Sequence, residues 1–243
     1  MPDVDLSTLS GERHGSLPLT GFLALPDGNG PWPGVVLIHE IFGVDDVMRR
    51  QTMRLAAAGY LTLAIDLYSA GGGARCLVST MRSLFRGTGR AYTDIETARR
   101  WLLDSTDCTS KVGVIGFCMG GGFALVAADT GFDAAAVNYG QLPHDVDGAL
   151  AHACPIVASY GARDRTLPHA AARLDEALTR ATVAHDVREY EGVGHAFMND
   201  APVGPRPLRP LLKVAGMVPH PDAAADAWRR IEGFFEHYLA AAD

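Results

Sequence analysis

The chain is short of cysteine, of positive charge and of long apolar runs, and each shortage removes a class of protein. Its four cysteines, Cys76, Cys108, Cys118 and Cys154, show no C-x-x-C spacing and are too few among 243 residues for a disulfide scaffold. A reducing compartment, the cytoplasm, is the expectation. No apolar run reaches the ~18 residues of a membrane span. The stretch from Met1 to Ser10 carries Asp3 and Asp5 where a secretory signal has a basic and then an apolar region. The 21 basic residues are outnumbered by 28 acidic ones, giving a net charge of −7, and they gather into no stripe. Neither a membrane nor a nucleic acid is therefore expected as a partner. Repeats and low-complexity linkers are also missing. What is present, 48% hydrophobic residues against 20% charged, excludes disorder and is enough for one large core. The expectation is a single domain over residues 1–243, as monomer or homodimer.

Short β-rich apolar runs alternate with segments of helical period, the pattern of a doubly wound, mostly parallel sheet with helices on both faces. Strands are predicted at Gly34 to His39, Leu61 to Asp66, Val112 to Phe117, Ala134 to Tyr139 and Ile156 to Tyr160. His185 to Tyr190 alternates in polarity and suits an edge, and Leu17 to Leu25 suits an antiparallel strand at the start. Thr93 with Glu96 reads as a capping box ahead of Ile95, Ala98 and Leu102. Pro168 suits a first helical turn before Ala171, Leu174 and Leu178. A last helix over about Ala223 to Leu239 presents Ala227, Trp228, Ile231, Phe234, Phe235 and Tyr238 on one apolar stripe. Ala201 to Pro221 holds six prolines and reads as an irregular excursion. Its Leu208, Leu211, Leu212, Val214 and Met217 need somewhere to pack, and the mouth of a site following His195 is one such place.

The run Gly116-Phe-Cys118-Met119-Gly120-Gly-Gly after a predicted strand has the G-x-nucleophile-x-G form of a sharp strand-to-helix elbow, with cysteine as the nucleophile. The flanking glycines let strand and helix approach where Cβ atoms would not fit. Cys118 would stand at a helix N-terminus, where unpaired N–H groups and the helix dipole favour a thiolate. A dinucleotide turn would need glycine at position 118, and no G-K-[ST] marks a phosphate loop.

A nucleophile needs a base, and the base an orienting acid. Asp164 follows one predicted strand, in Gly161-Ala-Arg-Asp164, and His195 follows the next, in Gly194-His195-Ala-Phe197. The order Cys118, Asp164, His195 is that of the α/β-hydrolase fold. His39-Glu40-Ile41-Phe42-Gly43 ends the first central strand, where that fold has its oxyanion loop. The zinc pattern H-E-x-x-H fails because position 43 is glycine. The oxyanion hole would use the backbone N–H groups of Ile41 and Met119. Glu40 ends a buried strand, so it either faces the crevice, within hydrogen-bond reach of Cys118, or pairs with an arginine. In the crevice its charge would oppose thiolate formation.

These segments, together with Asp66-Leu67-Tyr68, resemble the dienelactone hydrolase family over about residues 20 to 200. The resemblance implies hydrolysis of a small-molecule ester or lactone by Cys118, His195 and Asp164, a role for Glu40 in controlling the thiol, and no cofactor. Phe42, Tyr68, Tyr139 and Phe197 are the candidate substrate contacts. One departure bears on the substrate. The family's type enzyme holds a substrate carboxylate with arginines just after the Asp-Leu-Tyr segment and just after the histidine, where this chain has Ala70 and Asn199. Arg82 or Arg86 would have to replace them, against the plainer reading of a solvated helix face. Neutral substrates are expected. Thioester hydrolysis or acyl transfer would use the same residues, and a non-catalytic thiol redox sensor would need only the cysteine.

Overall fold

A computed structural model describes residues 3–202, 204–214 and 216–240. Eight strands run in chain order as β1 Asp3–Asp5, β2 Thr20–Ala24, β3 Trp32–Ile38, β4 Leu61–Asp66, β5 Cys108–Phe117, β6 Ala134–Asn138, β7 Ile156–Gly161 and β8 His185–Tyr190. The helices are α1 Ser7–Glu12, α2 Asp46–Ala57, α3 Gly73–Arg86, α4 Arg90–Leu103, α5 Met119–Ala127, α6 Val146–Ala149, α7 Ala170–Arg180, α8 Arg209–Val214 and α9 Pro221–Leu239. All eight strands join one sheet in the order β1-β2-β4-β3-β5-β6-β7-β8. The pairs β1–β2 and β2–β4 are antiparallel and every later pair is parallel.

The pleat sorts the core into two layers. Val36 and Ile38 of β3 face one layer, with Ile95, Ala98 and Leu102 of α4, Phe123 of α5 and Leu174 and Leu178 of α7. Val35 and Leu37, one residue out of step, face the other, with Met48 and Leu55 of α2 and Trp228, Ile231 and Phe235 of α9. Strands covered on both faces are apolar throughout, which is why β6 and β7 are buried at every position.

The sheet from β2 onward and the last helix match the expectation closely, whereas β1 is an addition to it and two helix starts differ. Helix α4 begins at Arg90 behind Gly89, whose φ of 123° suits glycine, so Thr93 lies inside the helix. The Glu96 carboxylate, expected to reach back to a backbone N–H, instead takes charge-assisted bonds from Arg99 and Arg100 at 2.7 and 2.8 Å. Pro168 lies outside α7, separated from it by His169 in the left-handed region at φ 58°. The excursion contains α8, with Leu211 and Val214 exposed at 68% and 87%. Its positions 203 and 215 lie outside the described residues.

Candidate active site

Every site segment leaves the carboxyl end of a parallel strand. The elbow between β5 and α5 is tight. A Cβ on Gly116 would meet the Gly120 carbonyl, and one on Gly120 would meet the carbonyls of Ile38 and His39. Both positions therefore require glycine, and the start of α5 lies directly against the end of β3. Between them Cys118 has φ 54° and ψ −116°, a strained conformation for a side-chain-bearing residue. It persists because the Cys118 N–H donates to the Asn138 carbonyl at 3.0 Å, while the Cys118 carbonyl accepts from Gly122.

Asp164 and His195 come from the loops after β7 and β8 and are 6% and 7% exposed. His195 Nδ1 and Asp164 Oδ2 are 2.5 Å apart. The other carboxylate oxygen accepts from the Thr166 N–H at 2.9 Å and from its hydroxyl at 2.6 Å. Burial alone would raise the Asp164 carboxyl, but the bonds from His195 and Thr166 outweigh it and hold the group low. Burial would likewise depress His195. The hydrogen bond to Asp164 and the Cys118 side chain on its other flank reverse this and push the imidazole up to about 10. Such an imidazole is a strong acceptor for a proton from sulfur. Thr166 went unmarked in the sequence; its place two residues after an acidic residue in a loop is the Asx-type signal that could have found it.

Glu40 is 5% exposed and pairs neither with an arginine nor, by any hydrogen bond among the described residues, with Cys118. Instead the Tyr139 hydroxyl donates to Oε1 at 3.3 Å, and Asn199 Nδ2 lies 3.2 Å from both carboxylate oxygens. Burial raises the carboxyl from 4.5 to about 7, and Asn199, His195 and Tyr139 only partly oppose it. Asn199 thus braces Glu40, and its Oδ1 is buried without a partner.

The other candidates divide. The Tyr68 hydroxyl donates to the Ile41 carbonyl at 3.1 Å and reaches Met119 Sδ at 3.5 Å, so Tyr68 ties the oxyanion loop to the elbow. Phe197 is fully buried, packed on Tyr139 and Tyr190 at centroid distances of 5.5 and 5.2 Å, and supports the site from behind where a substrate contact was expected. Tyr139 packs on His195 at 5.1 Å. Phe42 lines a cavity of about 420 Å³ with Asp45, Arg50, Pro202, Gly204 and Arg209. Arg82 and Arg86 are exposed on α3, and the structure does not bring either to the cluster. The excursion packs beside it. Gly216 backs onto Gly194, Gly204 sits against Phe42 and Leu212, and the His220 N–H donates to the Phe197 carbonyl at 2.9 Å. Among the described residues no group of three or more His, Cys, Asp or Glu could hold a metal, and no helix is long and apolar enough to cross a membrane.

Residues 19–239 match the model of the dienelactone hydrolase family. A carboxymethylenebutenolidase of Rhodococcus opacus is 28% identical, the match covering 90% of this chain and 86% of that protein. A Yersinia pestis protein provisionally given the same name is also 28% identical, over 92% of this chain and 85% of its own. Among solved structures, a provisionally named dienelactone hydrolase of Klebsiella pneumoniae superposes with a TM-score of 0.77 at 24% identity, covering 98% of this chain and 99% of that one, a likeness that bears on the fold. With an eight-stranded sheet of this order and a family match over nearly its whole length, the chain belongs to the dienelactone hydrolase family and has the α/β-hydrolase fold.

Proposed function

We propose that this chain hydrolyses neutral esters or lactones through Cys118, His195 and Asp164, acting as one domain in a reducing compartment. The observation that carries the reading is the buried imidazole of His195, held at Nδ1 by Asp164 and facing a cysteine on a strained elbow. The carboxymethylenebutenolidase name of its relatives supports the lactone class.

In this reading the Cys118 thiol gives its proton to His195 Nε2 and the sulfur attacks the substrate carbonyl. The oxyanion forms against the N–H groups of Ile41 and Met119. Its collapse breaks the carbon–oxygen bond, and the leaving alkoxide takes the proton from His195. Water then gives a proton to His195 and attacks the thioester. Cys118 leaves as thiolate and recovers the proton, and the acid is released. Asp164 fixes the tautomer that makes each transfer possible. Glu40 places a buried carboxyl beside this machinery, braced by Tyr139 and Asn199.

Neutral substrates follow from the groups around Glu40. Tyr139 and Asn199 brace it and neither is a cation, and the nearby His195 is already engaged by Asp164, so a substrate carboxylate would enter beside an acidic group with no arginine or lysine bonded there to neutralise it. The test is a panel of esters, lactones and thioesters given to wild type and Cys118→Ala, with mass spectrometry for the acyl-enzyme and an added acceptor to detect acyl transfer. Turnover that survives in Cys118→Ala overturns the assignment. A wild type inert on the whole panel, with reversible sulfenic acid at Cys118, favours the sensor instead.

A further inference from the structure

We infer that His39, fixed as its neutral Nδ1–H tautomer, aims the Ile41 N–H at the oxyanion and so is a positioning residue for the reaction proposed above, on which this inference rests. His39 follows β3 and is fully buried. Two bonds define its ring. The Leu67 N–H donates to Nε2 at 3.1 Å, so Nε2 is an acceptor and the ring proton resides on Nδ1. Nδ1–H then donates to the Glu40 carbonyl at 2.5 Å. That carbonyl accepts a second bond from the Gly43 N–H at 3.2 Å, which closes a turn over residues 40–43.

The Glu40 carbonyl and the Ile41 N–H belong to one peptide group. Among the described residues the cis peptides precede Pro18 and Pro31, so this one is trans, with its oxygen and hydrogen pointing in opposite directions. Holding the oxygen on the His39 side therefore turns the Ile41 N–H to the opposite side. The next carbonyl, that of Ile41, is held by Tyr68, which prevents the following peptide from rotating to compensate. No acceptor among the described residues takes the Ile41 N–H. The start of α5, which offers the Met119 N–H, lies against the carbonyls of Ile38 and His39, so both donors occupy one corner.

The environment allows this one state of the ring. A second proton would set Nε2–H against the Leu67 N–H, donor to donor. Burial also holds the imidazole below its ordinary value, despite the Glu40 carbonyl and the carboxylates of Asp66 and Asp45, which favour the charged form. Asp66 Oδ1 lies 3.7 Å from Nε2.

Two substitutions separate aiming from simple bracing. His39→Asn keeps a donor at the Nδ1 position and loses the acceptor for Leu67, whereas His39→Gln supplies an acceptor at the Nε2 position and loses the donor to Glu40. With p-nitrophenyl acetate as substrate, His39→Gln should lose kcat by about 10- to 100-fold with KM within about threefold, since a misaimed donor forfeits part of what a deleted one does. His39→Asn should stay within about fivefold of wild type. Alkylation of Cys118 by iodoacetamide, which needs no oxyanion hole, should be unchanged in both. Equal loss of kcat in the two variants, or loss that follows the fall in Tm, overturns the proposal and leaves His39 a structural brace. Should neither variant fold, nitrogen-15 NMR of wild type decides, because an Nε2–H or doubly protonated His39 at neutral pH also overturns it. A wild type without esterase turnover overturns the functional reading itself, and this inference with it.

Discussion

Replacing Glu40 by Gln should stabilise the protein, and by an amount that grows with pH. The carboxyl is 5% exposed, and its value rises from 4.5 to about 7 because burial penalises the charged form. A folded-state pKa above the unfolded one means that the folded protein holds the proton more tightly. Stability is then lost as pH climbs from 4.5 towards 7, and the loss levels off beyond that. At about 1.4 kcal/mol per unit, the full penalty is about 3 kcal/mol at pH 8, falling to about 1 kcal/mol at pH 5. Gln retains the shape and can still accept from Tyr139, and its amide hydrogens can meet the unpartnered Oδ1 of Asn199 if that side chain turns over. At 2–4 °C per kcal/mol for a domain of this size, Tm of the variant should exceed that of wild type by about 6–12 °C at pH 8 and by only about 2–4 °C at pH 5. Differential scanning calorimetry of both proteins at the two pH values measures this double difference, in which the other titrating groups largely cancel. A gap in Tm that is the same at pH 5 and pH 8 would refute the reasoning, since it would show Glu40 ionised, and solvated or paired, throughout.

Cys118→Ala should leave below about 1% of wild-type turnover with an unchanged far-ultraviolet circular dichroism spectrum, because in the proposed mechanism it removes the sulfur that forms the acyl intermediate. Asp164→Asn should lower kcat by about 10³- to 10⁴-fold, since the amide stabilises neither the tautomer nor the cation of His195; stopped-flow acylation rates measure it. A neutral ester should outperform its carboxylate-bearing counterpart by at least about tenfold in kcat/KM, one missing charge partner being worth that much. A dienelactone preferred over every neutral substrate would contradict the assignment and direct attention to Arg82 and Arg86. Replacing residues 204–217 by a short linker should change KM or the acyl-size preference, and unchanged selectivity in a folded variant would place the excursion outside the site.

The sheet was legible because its signals are local. A strand buried on both faces is an unbroken apolar run, as in Leu61–Asp66, and an edge strand alternates in polarity, as in His185–Tyr190; both could be read to the residue. The glycines at 116 and 120 announced the elbow, since little else in a chain demands their spacing. Helix starts were less legible. Thr93 and Glu96 carry a valid capping pattern, but Arg99 and Arg100 compete for the same carboxylate, and the choice depends on the fold. The partners of Glu40 were hidden for a related reason: Tyr139 and Asn199 lie 99 and 159 residues away, and nothing in their neighbourhoods marks them as its neighbours. Phe197 looked like a substrate contact from its nearness to His195, yet two residues along a loop are enough to turn a ring inward.

The two margins of the sheet bear on how copies of this chain can meet. One margin is β1, three residues long, with Asp3 and Asp5 exposed on it. The other is β8, where Asp186, Arg188 and Glu189 are exposed. There Arg230 reaches across from α9 to bind the Asp186 carbonyl at 2.7 Å and its carboxylate at 2.8 Å. A neighbouring strand arriving at the first margin meets a very short ledge that carries Asp5 and an Asp3–Arg49 ion pair. At the second it meets alternating charges, with one carbonyl already engaged by a guanidinium. Both margins therefore resist the edge-to-edge growth of sheets into fibrils that an open, mostly parallel sheet with an apolar centre would otherwise invite.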